Sequence, residues 1–191
     1  AMPMARLAGN DPTSICRVLD AGAYSVICPM ISSAEEARAF VSACRYAPLG
    51  TRSYAPVRGQ LYGGSDYFPH ANEEIVKMAM IETRGGLDAL DEILAVEGLD
   101  GIFVGPNDLA IALGQPPSSE SDHPDVRNAI HTICTRTRAK GKVAGILCSG
   151  PQAALQRIEQ GFNFVTCGGD IGLLTKVSRE SVAAVRAGLP A

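Results

Sequence analysis

The chain has 191 residues, 46% of them hydrophobic and 19% charged, with a formal net charge of -3. This balance argues against a disordered chain, a collagen or a polybasic nucleic-acid binder, and leaves a small molecule or another protein chain as the partner. No apolar run approaches the about 18 residues of a membrane helix, and residues 1–10 lack a basic segment followed by an apolar one, so a soluble, untargeted chain of one domain, 1–191, is expected. Six cysteines without a CxxC spacing, most of them inside apolar stretches, predict reduced structural thiols in a cytoplasmic protein.

Taken in chain order, the patterning predicts strands alternating with helices. Residues 4–7 form a short apolar segment ending near Arg6. Asp11 then caps a helix whose first position, Pro12, needs no N–H, and Gly22 ends it. Residues 24–30 are almost wholly apolar, as in a strand buried on both faces of a parallel sheet. Ser33 caps the next helix, with Ala34, Ala37, Val41 and Cys44 at helical spacing and Glu36 at the capping-box position. Residues 46–72 lack periodicity and are rich in glycine and proline, which predicts a loop beside a site. Strands over 76–81, 101–104, 142–147 and 163–166 follow, with helices over 87–95, 108–113, 125–139, 151–160 and 171–187.

Six such βα units imply right-handed crossovers and a parallel sheet. A doubly wound sheet would normally carry a glycine-rich phosphate loop after its first strand, and neither GxGxxG nor GxxxxGK[ST] occurs. A (β/α)8 barrel needs eight units and about 250 residues, two units more than the six counted here.

Chemistry-bearing residues fall where strands end. Glu82 follows one strand directly and Asp108 follows GIFVGPN, so two successive parallel strands each deliver a carboxylate at the edge where α/β proteins bind ligands. Two hard oxygen donors suit an octahedral divalent ion, with water and substrate filling the other positions. Alternatively, each carboxylate caps the helix that follows it. Arg6 ends the first strand, where a guanidinium can grip a carboxylate bidentately or remain a solvated charge. Lys77 and Lys142 begin their strands, the wrong end for a Schiff-base amine. His70, His123 and His131 fall in a loop, a turn and a solvent-facing helix. Arg52 is a loop arginine that is either solvated or at the mouth of the site. The CGGD run at 167–170 reads as a tight turn with only weak phosphate-loop character.

The segments DPTSICRVLDAGA, VICPMISSAEEARAFVSACRYAPLGTR, MIETRGGLDALDEILAVEGLDGIFVGPNDLAIALG and GKVAGIL, in this order and spacing, resemble the HpcH/HpaI family of metal-dependent pyruvate aldolases, from about residue 3 to 184. The resemblance implies a (β/α)8 barrel of the phosphoenolpyruvate/pyruvate type, represented here by about six βα units. It implies a divalent metal (Mg2+, Mn2+ or Co2+) held by Glu82 and Asp108, and pyruvate bound by Arg6. The GPxD turn, Gly105 to Asp108, holds the pyruvate carboxylate with the N–H groups of Asn107 and Asp108. The implied reaction cleaves a 4-hydroxy-2-oxo acid to pyruvate and an aldehyde, or the reverse, with the metal polarising the 2-oxo group and stabilising an enolate. The expected partners are small 2-oxo acids and further copies of this chain, dimer to hexamer with the last helix exchanged, rather than nucleic acid or membrane.

The chain departs from the family pattern in two ways. Family members carry, ahead of Arg6, two further βα units with a D-x-E-H element whose histidine moves protons, and the expectation is a chain that begins after it and is slow alone. Met80 stands where several members have a glutamine, a difference that bears on subclass. The other expectations left open are a barrel that binds metal and 2-oxo acid without turnover, and a malyl- or citramalyl-type lyase.

Overall fold

The computed structural model describes residues 1–189. Six strands form one all-parallel sheet in sequence order: β1 (Met4–Arg6), β2 (Ser25–Cys28), β3 (Val76–Ile81), β4 (Gly101–Val104), β5 (Val143–Ile146) and β6 (Phe164–Val165). Ten helices connect or follow them: α1 (Pro12–Asp20), α2 (Ala34–Cys44), α3 (Val57–Gly63), α4 (Tyr67–Glu74), α5 (Arg84–Asp88), α6 (Leu90–Leu94), α7 (Pro106–Ala112), α8 (Pro124–Ala139), α9 (Pro151–Glu159) and α10 (Asp170–Ala187).

The period of two along each strand sorts its side chains between two apolar layers. Val26, Cys28, Ala79, Ile81, Ile102, Val104, Ala144 and Ile146 point to the helices and join the main core. Ile27, Met78, Met80 and Phe103, with Met4, Val76, Val143 and Phe164 against them, fill the concave face of the curled sheet. The register sets Ile27 beside Met78, Met80 beside Phe103, and Phe103 and Phe164 on either side of Gly145. A Cβ at Gly145 would stand 2.7 Å from the Phe103 ring and 2.9 Å from that of Phe164. Glycine there gives two aromatic rings the room to pack inside the curve.

The helix starts expected from sequence are present. Asp11 accepts from Ser14 N–H at 2.7 Å, and Ser33 Oγ accepts from Glu36 N–H at 3.2 Å. Glu36 reaches back to the Ser32 N–H at 2.7 Å, one residue before the usual capping-box partner.

Three expectations need correction. The strand expected over 24–30 ends at Cys28, and Met30 turns out of it with a φ of 60°. Residues 46–72 are not a loop beside a site: they contain α3 and the start of α4 and pack at the amino-terminal edge of the sheet. There Gly63 approaches the Tyr24 hydroxyl and Gly59 lies against the Tyr67 ring, while the Tyr24 carbonyl accepts from Val76 N–H at the start of β3. Aromatic rings packed on glycines hold these short helices, which is why no apolar periodicity announces them. The helix expected over 87–95 starts earlier, because Thr83 caps α5, and it breaks at Ala89 into α5 and α6.

All six cysteines are free thiols, four of them buried. Burial pushes Cys28 and Cys44 up to about 12, so both are inert packing residues. Among the described residues no helix is long and apolar enough to cross a membrane.

Candidate active site

A cleft of about 440 Å³ opens at the carboxyl-terminal edge of the strands. Its polar rim is built by Arg6 from the end of β1, Glu82 from the residue after β3, Gly105, Asn107 and Asp108 from the turn after β4, and Thr166 from the end of β6. Its floor is the apolar concave face, including Met80 and Phe103. All the residues expected at a site from the sequence, namely Arg6, Glu82, Gly105, Asn107 and Asp108, therefore line one cavity.

Glu82 is the buried member, only 2% exposed. Its Oε1 accepts from the Met30 N–H at 2.9 Å. A Cβ on Gly105 would land on Oε2, well inside van der Waals contact. Burial pushes the Glu82 carboxyl above the usual carboxylate range; the Met30 N–H opposes that rise, the charge of Asp108 adds to it, and Arg6 opposes it. A carboxylate held out of water beside a second carboxylate is poorly compensated by the protein alone, and a cation between the two would remedy this.

Neither carboxylate is used as a helix cap. Thr83 caps α5, its Oγ1 accepting from Gly86 N–H at 2.9 Å. The cap position of α7 is Gly105, which has no side chain to offer; Pro106 fills the first position and Asp108 lies in the first turn. Among the described residues no group of three or more His, Cys, Asp or Glu is gathered as a metal site. Glu82, whose Oε2 packs against the bare Cα of Gly105, and Asp108 are the two carboxylates that could hold a cation, and such a pair suits a hard divalent ion that also takes oxygens from water and substrate.

The other residues considered from sequence lie elsewhere. Arg52, placed in doubt at the mouth, is buried at the far edge of the fold; it pairs with Asp20 at 2.8 Å, donates to Tyr67 Oη at 3.1 Å and stacks on Tyr46. Lys77 and Lys142 are held at strand starts, Lys77 by Asp100 at 3.0 Å and the Ile75 carbonyl, Lys142 by the Leu99 carbonyl. His123 is the cap residue of α8, and its Nδ1 accepts from Asp125 N–H. His70 and His131 are exposed on helices. None of the three histidines lines the cleft. The CGGD run is not the tight turn expected: residues 167–169 are an irregular link, with Gly168 at φ 120°, and Asp170 already begins α10. Met30, Ser32, Leu147 and Thr166 were not singled out from sequence. The role of Met30 is carried by its main-chain N–H in a positive-φ conformation, for which the sequence holds no signal.

A parallel α/β sheet whose strand ends gather two carboxylates and an arginine over an apolar floor is the arrangement of an enzyme that handles small anionic substrates. The HpcH/HpaI aldolase/citrate lyase family model matches residues 1–176, and the chain belongs to this family. It is 43% identical over 187 residues to a hydroxypyruvate/pyruvate aldolase of Rhizorhabdus wittichii, covering 98% of this chain and 74% of that protein. It is 39% identical over 180 residues to a 5-keto-4-deoxy-D-glucarate aldolase of Escherichia coli, covering 93% and 70%. The crystal structure of an HpcH/HpaI aldolase/citrate lyase family protein from Burkholderia cenocepacia superposes with a TM-score of 0.87 at 32% identity, covering 96% of this chain and 73% of that one. The relatives are aldolases, and the chain accordingly stands among carbon–carbon lyases.

Proposed function

We propose that the chain binds a divalent cation (Mg2+, Mn2+ or Co2+) through Glu82 and Asp108. We propose further that it cleaves a 4-hydroxy-2-oxo acid to pyruvate and an aldehyde, or joins the two. The convergence of Glu82, Asp108 and Arg6 on one cleft from three different strand ends carries this reading. A cation held by two carboxylates keeps positions open for substrate oxygens and, when bound, polarises the 2-oxo group.

The chain's own residues do the rest. Arg6 grips the substrate carboxylate and offsets the negative charge that bond cleavage places on the pyruvate portion. Asn107 and Asp108 supply main-chain N–H groups from the uncapped first turn of α7, and Gly105 leaves that approach open. The apolar floor, with Met80 where a polar side chain would bind water, keeps the reacting carbon dry. The names of the aldolase relatives support a 2-oxo acid as substrate.

The filled concave face of the curled sheet supports reading the six strands as units of a (β/α)8 barrel of the phosphoenolpyruvate/pyruvate type. The exposed aliphatic residues of α10 support a homo-oligomer, dimer to hexamer, in which this helix docks on a neighbouring copy.

Exchange of the pyruvate methyl protons for deuterium, followed by NMR with and without Mg2+, tests the chemistry. Metal-dependent exchange that disappears in Glu82→Ala plus Asp108→Ala is expected. Pyruvate that keeps its protons in the presence of the wild-type chain and metal would overturn the proposal.

A further inference from the structure

The turn after β2 is tied to the turn after β3 by contacts that the proposed chemistry leaves unused. Met30 has a φ of 60°, in the left-handed region that costs a non-glycine residue energy. Its side chain is 57% exposed, so side-chain packing does not account for the conformation. What the conformation does is aim the main-chain N–H at Glu82 Oε1, 2.9 Å away.

A directional hydrogen-bond chain holds Met30 there. The Gly86 N–H donates to Thr83 Oγ1 at 2.9 Å, the Thr83 and Ser32 hydroxyls lie 2.7 Å apart, and Ser32 Oγ donates to the Met30 carbonyl at 3.1 Å. Because the Ser32 proton goes to Met30, the proton between the two hydroxyls belongs to Thr83, and every link then has one donor and one acceptor. Close approach of the turns depends on glycine: a Cβ at Gly86 would strike the Ile31 carbonyl, and one at Gly85 would stand 3.3 Å from Ser32 Cβ. Capping of α2 does not explain the Ser32 hydroxyl, since Ser33 Oγ performs that task.

We propose that Ser32 is a positioning residue: through the Thr83, Ser32 and Met30 chain it keeps the Met30 N–H on Glu82 Oε1 and so fixes the orientation in which the Glu82 carboxylate would meet a cation. This inference rests on the metal reading of Glu82 and Asp108. A carboxylate with one oxygen hydrogen-bonded to the main chain is held in one orientation, so it would not have to be ordered when a cation binds. Partners behind a metal ligand commonly set affinity by 10- to 100-fold when removed.

The test uses chelator-treated wild type, Ser32→Ala, Ser32→Cys, Ser32→Thr and Glu82→Ala. Mn2+ binding is read from the electron paramagnetic resonance signal of the free ion, and hydrogen exchange of the Met30 amide is read in the metal-free protein. Ser32→Ala is expected to weaken Mn2+ binding by about 10- to 100-fold and to speed exchange at Met30. Ser32→Thr, which keeps the hydroxyl, restores most of both. Ser32→Cys keeps the volume with a weaker donor, falls between them, and serves in place of alanine should that variant not fold. Wild-type affinity in Ser32→Ala, while Glu82→Ala has lost binding, would overturn the positioning role alone. Equal weakening in Ser32→Ala and Ser32→Thr would overturn it too. A wild-type chain that does not bind Mn2+, or a Glu82→Ala variant that binds it normally, would overturn the metal reading and this inference with it.

Discussion

A single methyl group at position 105 tests how closely the cleft is built around Glu82. Gly105 has φ -95° and ψ 88°, a backbone conformation open to any residue, so alanine would suffer there only from what its Cβ meets. It meets Glu82 Oε2, and the Glu82 Cβ and Cδ at 3.1 Å. Gly105→Ala is therefore expected to displace the carboxylate, break its bond to Met30, and weaken Mn2+ binding by roughly 10- to 100-fold. A double-mutant cycle checks the cause: once Glu82 is alanine the overlap with Oε2 and Cδ is gone and only the 3.1 Å approach to the Cβ of residue 82 remains, so Gly105→Ala should lower Tm less in that background than in wild type. Equal losses in both backgrounds would show that the methyl acts elsewhere. At this scale the candidate cleft was readable in the sequence, because Glu82 directly follows one apolar strand, Asp108 comes just after the next through the GPN turn, and strand ends are where parallel sheets bind ligands. Met30 was not readable. Its contribution is a main-chain N–H in an unusual conformation, which residue type does not encode for methionine.

Strands and their helices were likewise legible where the period was clear. The element that misled was the segment from 46 to 72, whose glycines and prolines resemble a loop beside a site but which holds α3 and the start of α4, set by rings lying on Gly59 and Gly63. Arg52 anchors this element. Its side chain is fully buried, it pairs with Asp20, and its Nε and Nη1 have no partner among the described residues. Removing one member of a buried pair leaves the other uncompensated, and such losses run to about 3 kcal/mol or more. Arg52→Ala should therefore lower Tm markedly, as calorimetry would measure. Its site lies at the opposite edge of the sheet from Glu82, so Mn2+ affinity measured well below the new Tm should stay at the wild-type value. A fall in affinity matching that of Glu82→Ala would return Arg52 to the site.

At the scale of the whole molecule, α10 is the element whose packing the described residues do not supply. All of its residues are exposed. Ile171, Leu173, Leu174, Val177, Val182 and Val185 are 50% exposed or more, and the ion pair of Lys176 with Glu180 at 3.9 Å adds little at the surface. Burying a large aliphatic side chain contributes about 1.5–3 kcal/mol, so six left in water forgo far more than that ion pair returns. In proteins most helical stability comes from packing an amphipathic face, and this 18-residue helix has none of its face covered by the described residues. The sequence announced the apolar stripe, yet periodicity says only that a face must be covered, not which surface covers it. A second copy is a surface always at hand, and closed symmetry makes the same docking available to both chains. Light scattering at micromolar concentration should give an integral multiple of the 20.0 kDa chain mass, and Leu173→Asp plus Val177→Asp should reduce it toward one chain while lowering the helical signal in circular dichroism. A wild-type chain that scatters as a monomer across that range would remove the homo-oligomer and leave α10 to be covered by something other than its own kind.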